Sequence, residues 1–156
     1  MGKSGIKINL KGFERMLEDL QAAGGRADRV TAETMQESAR TVETALRDEA
    51  RASGVPDSIT SEIRTKTTSG GNRYGAQVGW QLDTYDPRNP SAGYKAIFLN
   101  YGTVRRQTHS GKNRGAIPKR ATTQQFIYTA KKKARPKVRK LQKEAIQKAL
   151  EGLKNA

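Results

Sequence analysis

Apolar positions recur along this chain with two periods. Ile6, Ile8 and Leu10 alternate with Lys7, Asn9 and Lys11, the period of a short half-buried strand, and Gly12 permits a turn. Phe13, Met16, Leu17 and Leu20 follow at helical spacing, up to the stop at Gly24-Gly25. From Ala27 to Ala52 there is no Gly or Pro. Met35, Ala39, Val42, Leu46 and Ala50 fall on one stripe spaced by three and four, while Glu33, Glu37, Arg40, Glu43, Arg47 and Asp48 occupy the other faces. This predicts a long amphipathic helix, closed by Ser53-Gly54 and Pro56.

The period then shortens. Ile59 to Thr68 is rich in Thr and Ile, Ser69-Gly70-Gly71-Asn72 reads as a turn, and Tyr74, Ala76, Val78, Trp80 and Leu82 alternate with smaller or polar residues. Two such runs around a Gly-rich turn predict a β-hairpin. Asp86-Pro87-Arg88-Asn89-Pro90 predicts a loop, and the apolar run from Tyr94 to Tyr101, ended by Gly102, suits either a strand or a helical turn. Val104 to Pro118 has no apolar period and reads as a mobile loop. Two helical segments follow. One spans about Thr122 to Ala134 with Phe126, Ile127 and Ala130, and Pro136 is expected to kink or restart the helix. The second reaches about Leu153, with Val138, Leu141, Ala145, Ala149 and Leu153 near one face. The expectation is one domain over residues 1–156: a core of 1–103, a basic loop of 104–121 and basic helices over 122–156.

Charge divides the chain unequally. Residues 1–53 hold nine basic and nine acidic side chains, and residues 54–102 hold five and four. Residues 103–156 hold sixteen basic and two acidic ones, Glu144 and Glu151, so nearly all of the net +15 sits in the final third. Such asymmetry suits either a polyanionic neighbour, because each Lys or Arg that neutralises a phosphate releases a counterion, or a solvated basic face kept for solubility. Lys131-Lys132-Lys133-Ala134-Arg135 has no interleaved aromatics, so contacts should be with backbone rather than stacked bases. With 6% aromatic residues the core must be largely aliphatic. No apolar run approaches the ~18 residues of a membrane span. Met1-Gly2-Lys3-Ser4-Gly5 lacks the apolar segment of a secretory signal, and the absence of cysteine removes disulfides, thiolate metal sites and thiol nucleophiles. A soluble domain made in the cytoplasm is expected.

Catalytic chemistry has little to build on. His109 is the single histidine, sits beside no carboxylate, and reads as a solvated loop residue. Asp57, Glu62, Asp83 and Asp86 surround the expected hairpin and would suit Mg²⁺ if they met, although turn and strand-end duties explain them better. No P-loop string and no Gly-x-Ser-x-Gly occurs. The reading is a protein without enzymatic activity, cofactor or small-molecule substrate.

Several tracts carry a resemblance. They are Ile6-Lys7-Ile8-Asn9-Leu10-Lys11-Gly12-Phe13, then Val55-Pro56-Asp57-Ser58-Ile59, then Tyr94-Lys95-Ala96-Ile97-Phe98-Leu99-Asn100-Tyr101-Gly102-Thr103, and finally a basic loop leading to a Pro, a Phe and a terminal helix. In this order they resemble the tail-completion or head–tail joining proteins of long-tailed bacteriophages. Ala96 to Thr103 is similar to the family's tyrosine–alanine then aromatic–glycine–threonine signature, and Gln125-Phe126-Ile127 to its later proline–phenylalanine–leucine step. Asn100 stands where an acidic residue is usual, and Gln125 where a proline is.

The resemblance implies an α+β fold, a small antiparallel sheet packed on the long amphipathic helix with a basic helical C-terminal segment. It also implies a homo-oligomeric ring, a hexamer in the family, at the head-proximal end of the tail. Its neighbours would be the tail-tube protein, head-completion or connector proteins, and double-stranded DNA passing through the lumen, in a virion neck assembled in the host cytoplasm. Assembly contacts are then expected at Tyr94, Phe98, Tyr101, Gly102, Thr103 and Phe126. DNA-facing cations are expected among Arg105, Arg106, Lys112, Arg114, Lys119, Arg120, Lys131, Lys132, Lys133 and Arg135. Two competing readings remain: a sequence-independent nucleic-acid-binding protein using the basic C-terminal helices, and a metal-dependent nuclease built on the four carboxylates.

Overall fold

The computed structural model describes residues 5–8, 27–70, 73–83, 85–103 and 115–154. The fold is α+β, as expected. Strands β1 (Gly5–Ile8), β2 (Arg64–Gly70) and β3 (Arg73–Gly79) form an antiparallel sheet in the order β1-β3-β2. Ile6 pairs with Val78 and Ile8 with Ala76, so the alternation in β1 and β3 points Ile6, Ala76 and Val78 into the core. The β2 side chains from Arg64 to Thr68 are exposed, and its Lys and Arg suit an edge strand. The segment Phe13–Leu20, expected to be helical, lies outside the described residues, as do Gly71 and Asn72 of the expected turn.

Helix α1 (Ala27–Ala52) buries the stripe Met35, Ala39, Val42, Leu46 and Ala50 that its spacing predicts. The following segment departs from expectation. Ile59 does not begin the hairpin but sits in a short helix, α2 (Asp57–Thr60), and the strand starts only at Arg64. The reason is chemical. Pro56 starts the turn, and its carbonyl accepts from both Ile59 and Thr60 N–H. Arg47 of α1 then donates to the carbonyls of Thr60 (2.6 Å) and Ile63 (2.9 Å). This fixes the turn against α1 with Ile59 and Ile63 inside.

The ambiguous run Tyr94–Tyr101 is helical, within α3 (Ala92–Tyr101). Gly93, Ala96 and Asn100 form its buried face, at helical spacing. The small residues let α3 lie against the end of β3: a Cβ on Gly93 would stand 2.7 Å from the Gln81 carbonyl oxygen. Trp80, just past β3, donates its indole N–H to the Ile59 carbonyl at 2.7 Å.

A 3₁₀ turn (Thr122–Gln124) leads into α4 (Phe126–Lys154). Here the expectation of two segments broken at Pro136 is corrected, for the helix runs through Pro136 without interruption. The ring is exposed, while Ala134 and Val138 on either side are buried with α1. Packing of Ala134 and Val138 on the core holds the two halves together, and the missing Pro136 N–H leaves the Lys132 carbonyl without its usual helical donor. The start of α4 lies at the C-terminal end of α1, where Arg120 donates to the Ser53 carbonyl and Lys133 pairs with Glu49. The two long helices therefore run antiparallel, and the inner face of the basic third completes the core.

Candidate functional site

Helix α3 carries the tract Tyr94–Thr103 and has two unlike faces. Away from Gly93, Ala96 and Asn100, Tyr94, Phe98 and Tyr101 form an aromatic row at i, i+4 and i+7, half-buried at Tyr94 and Phe98 and exposed at Tyr101. Tyr85, from the preceding loop, packs edge-on against Tyr94 (ring centroids 4.9 Å) and Phe98 (6.3 Å). Tyr85 and Tyr101 remain 48% and 46% exposed, so the ridge presents aromatic surface to solvent in a chain poor in such residues. Sequence reasoning missed Tyr85 because a loop aromatic belongs to no periodic pattern.

The other expected assembly residues have duties within the chain. Gly102 lies in the left-handed region (φ +82) and donates to Phe98 O at the end of α3. A Cβ there would stand 2.7 Å from the Lys119 Cα. Thr103 holds the returning chain twice: its N–H donates to Ile117 O (2.9 Å), and its Oγ1 accepts from Ile117 N (3.1 Å). The Gly-Thr pair thus closes the base of the basic loop. Phe126 is corrected from a surface contact to a core residue, 1% exposed and edge-on to Trp80 at 6.1 Å.

Asn100 explains its own position. It is fully buried, and its Oδ1 accepts from the Ile127 N–H in the first turn of α4 (3.1 Å). A side chain of α3 thereby caps α4 from outside, satisfying one of the donors that every helix N-terminus leaves open. Its Nδ2 has no partner among the described residues.

The expected DNA-facing residues separate into three groups. Arg105, Arg106, Lys112 and Arg114 lie outside the described residues. Arg120 is half-buried and committed to the Ser53 carbonyl, while Lys119 is exposed. Lys131, Lys132, Lys133 and Arg135 are exposed on α4, with Lys133 paired to Glu49. The same helix exposes Lys137, Arg139, Lys140, Lys143 and Lys148.

The four carboxylates do not converge. Asp57 pairs with Arg51 (3.0 Å), Glu62 meets Arg64 (3.4 Å), Asp83 accepts from the Gln81 amide (3.2 Å), and Asp86 accepts from the Arg88 N–H (2.8 Å). Among the described residues no group of three or more metal-binding side chains could hold an ion. His109 lies outside them. Among the described residues no helix is long and apolar enough to cross a membrane.

One carboxylate is electrostatically set. Burial pushes the Glu43 carboxyl up, but hydrogen bonds from Thr65 and Arg47 and the charges of Arg47 and Arg64 outweigh it and hold the group below its ordinary 4.5. Thr65 donates to Glu43 Oε2 at 2.7 Å and Arg47 Nη2 to Oε1 at 2.8 Å, which ties α1 to β2. This arrangement is structural.

No family model matches the chain, and no curated protein or solved structure does.

Proposed function

We propose that this chain is a structural protein of the neck of a long-tailed phage, a ring subunit that completes the tail and joins it to the DNA-filled head. The observation that carries the reading is the two-faced helix α3. The tract that resembles the joining family buries Gly93, Ala96 and Asn100, leaves Tyr94 and Phe98 half-buried and Tyr101 exposed on another face, and is backed by the exposed Tyr85. An aromatic ridge of this kind suits self-association, because aromatic side chains bury large areas and lose little conformational entropy on binding. A small chain with a thin core also gains stability when neighbours cover its apolar surface. The partners would be other copies of the chain, a tail-tube protein, and connector proteins on the head side.

Deleting the reading frame from the phage or prophage that carries it, then viewing the lysate by negative-stain microscopy, tests the role. DNA-filled heads lying apart from tails are expected. Intact, infectious virions would overturn the proposal.

A further inference from the structure

Helix α4 has faces of opposite chemistry. Phe126, Ala130, Ala134 and Val138 are buried, and at about 100° per residue Lys132, Arg135, Arg139 and Lys143 turn to the opposite side. All four are exposed, and they are spaced by three, four and four residues over about 16 Å of helix axis. Lys133, Lys140, Glu144 and Glu151 turn instead to one flank, where Lys133 pairs with Glu49 and Lys140 with Glu144. The outer row receives no acidic partner: none of its four cations forms an ion pair among the described residues.

Such a row works against its own helix. Like charges at i, i+3 and i, i+4 repel on a helix surface, and these side chains contribute nothing to the core. A polyanion laid along the row removes that repulsion and releases its own counterions.

We propose that the outer row of α4 is a duplex DNA-binding surface that grips the phosphate backbone through Lys132, Arg135, Arg139 and Lys143, blind to base sequence. The inference does not depend on ring formation. Three features select the ligand. No aromatic side chain stands between the cations to stack on unpaired bases; Tyr128 lies beyond one end of the row. The apolar face of α4 is already packed on α1, so the helix has no insertable face for a bilayer. A straight row of flexible cations also matches a regular line of phosphates, and Lys and Arg in such contacts carry no base information.

The test is fluorescence anisotropy of the full chain with two 30-base-pair duplexes of unrelated sequence, across a series of salt concentrations. Equal affinity for both duplexes is expected. The single variants Arg135→Gln and Arg139→Gln should each reduce the slope of log K against log salt by about 1. The variant lacking all four cations (Lys132→Gln, Arg135→Gln, Arg139→Gln, Lys143→Gln) should lose about 3 to 4 of slope. Gln preserves helix propensity, and far-ultraviolet circular dichroism verifies that the variants fold. A charge-matched control carries Arg40→Gln, Lys66→Gln, Arg88→Gln and Lys95→Gln, all exposed and off α4, and should keep most of its slope.

Equal losses in the two fourfold variants would overturn the proposal, since net charge alone would then explain binding. A preference between the duplexes would overturn sequence-blind recognition. Row-dependent binding to phosphatidylcholine vesicles containing phosphatidylserine, as tight as to DNA, would overturn the choice of ligand.

Discussion

At the scale of single residues, side chains that look ordinary in the sequence hold the elements together. Asn100 caps a helix other than its own, Trp80 holds the Ile59 carbonyl, and Arg47 joins three chain segments. Glu43 gives this scale a measurable signature. Its carboxyl is held below its ordinary value in the folded chain, so the unfolded chain binds the proton more tightly. The stabilisation is complete above the ordinary value of 4.5 and is lost as pH falls through the lower folded value. Glu43→Gln should lower stability by about 1 kcal/mol at neutral pH, a part-exposed ion pair being worth roughly that. The gap between variant and wild type should narrow as pH falls below 4.5. Urea unfolding from pH 3 to 7 measures it, and a gap constant across that range would refute the linkage.

Among the elements, α4 shows tertiary packing prevailing over local propensity. Pro136 stands inside a 29-residue helix, where it disfavours helix by about 3 kcal/mol relative to Ala. The contacts of Ala134 and Val138 with the core keep the axis continuous. Pro136→Ala should therefore raise stability, by about 1 to 3 kcal/mol, because the Lys132 carbonyl regains its donor and no buried contact is lost. Thermal unfolding reads this directly. A lowered midpoint would refute this, showing that the packing of α4 on α1 depends on the Pro136 ring.

For the whole molecule, the core joins the sheet, α1, α3 and α4, and its two least ordinary surfaces are the aromatic ridge and the cation row. The ridge predicts association. The chain should form an oligomer whose population grows with concentration in sedimentation velocity. Tyr85→Ser together with Tyr101→Ser should weaken it by tenfold or more, about 1.4 kcal/mol. Both rings are nearly half exposed, so the monomer should keep its fold. An unchanged sedimentation profile would remove the ridge as the interface.

Periodicity alone determined the α1 stripe and the pairing of an Ala76–Val78 strand into a hairpin, because burial on one face imprints a period on the chain, and composition alone showed the concentration of charge in the last third. The signal also contained the outer row of α4: once the helix runs through Pro136, Arg139 and Lys143 fall in line with Lys132 and Arg135. Only tertiary structure decided the rest. Tyr94–Tyr101 is helical because Gly93 packs closely on the segment after β3 and Ala96 and Asn100 bury the same face. Ile59 is in a helical turn because Arg47 holds the carbonyls that end it. Phe126 is core because Trp80 and α1 enclose it, and Asn100 is buried because the first turn of α4 needs an acceptor. Each of these depends on contacts between residues far apart in the chain, which leave no local period to read.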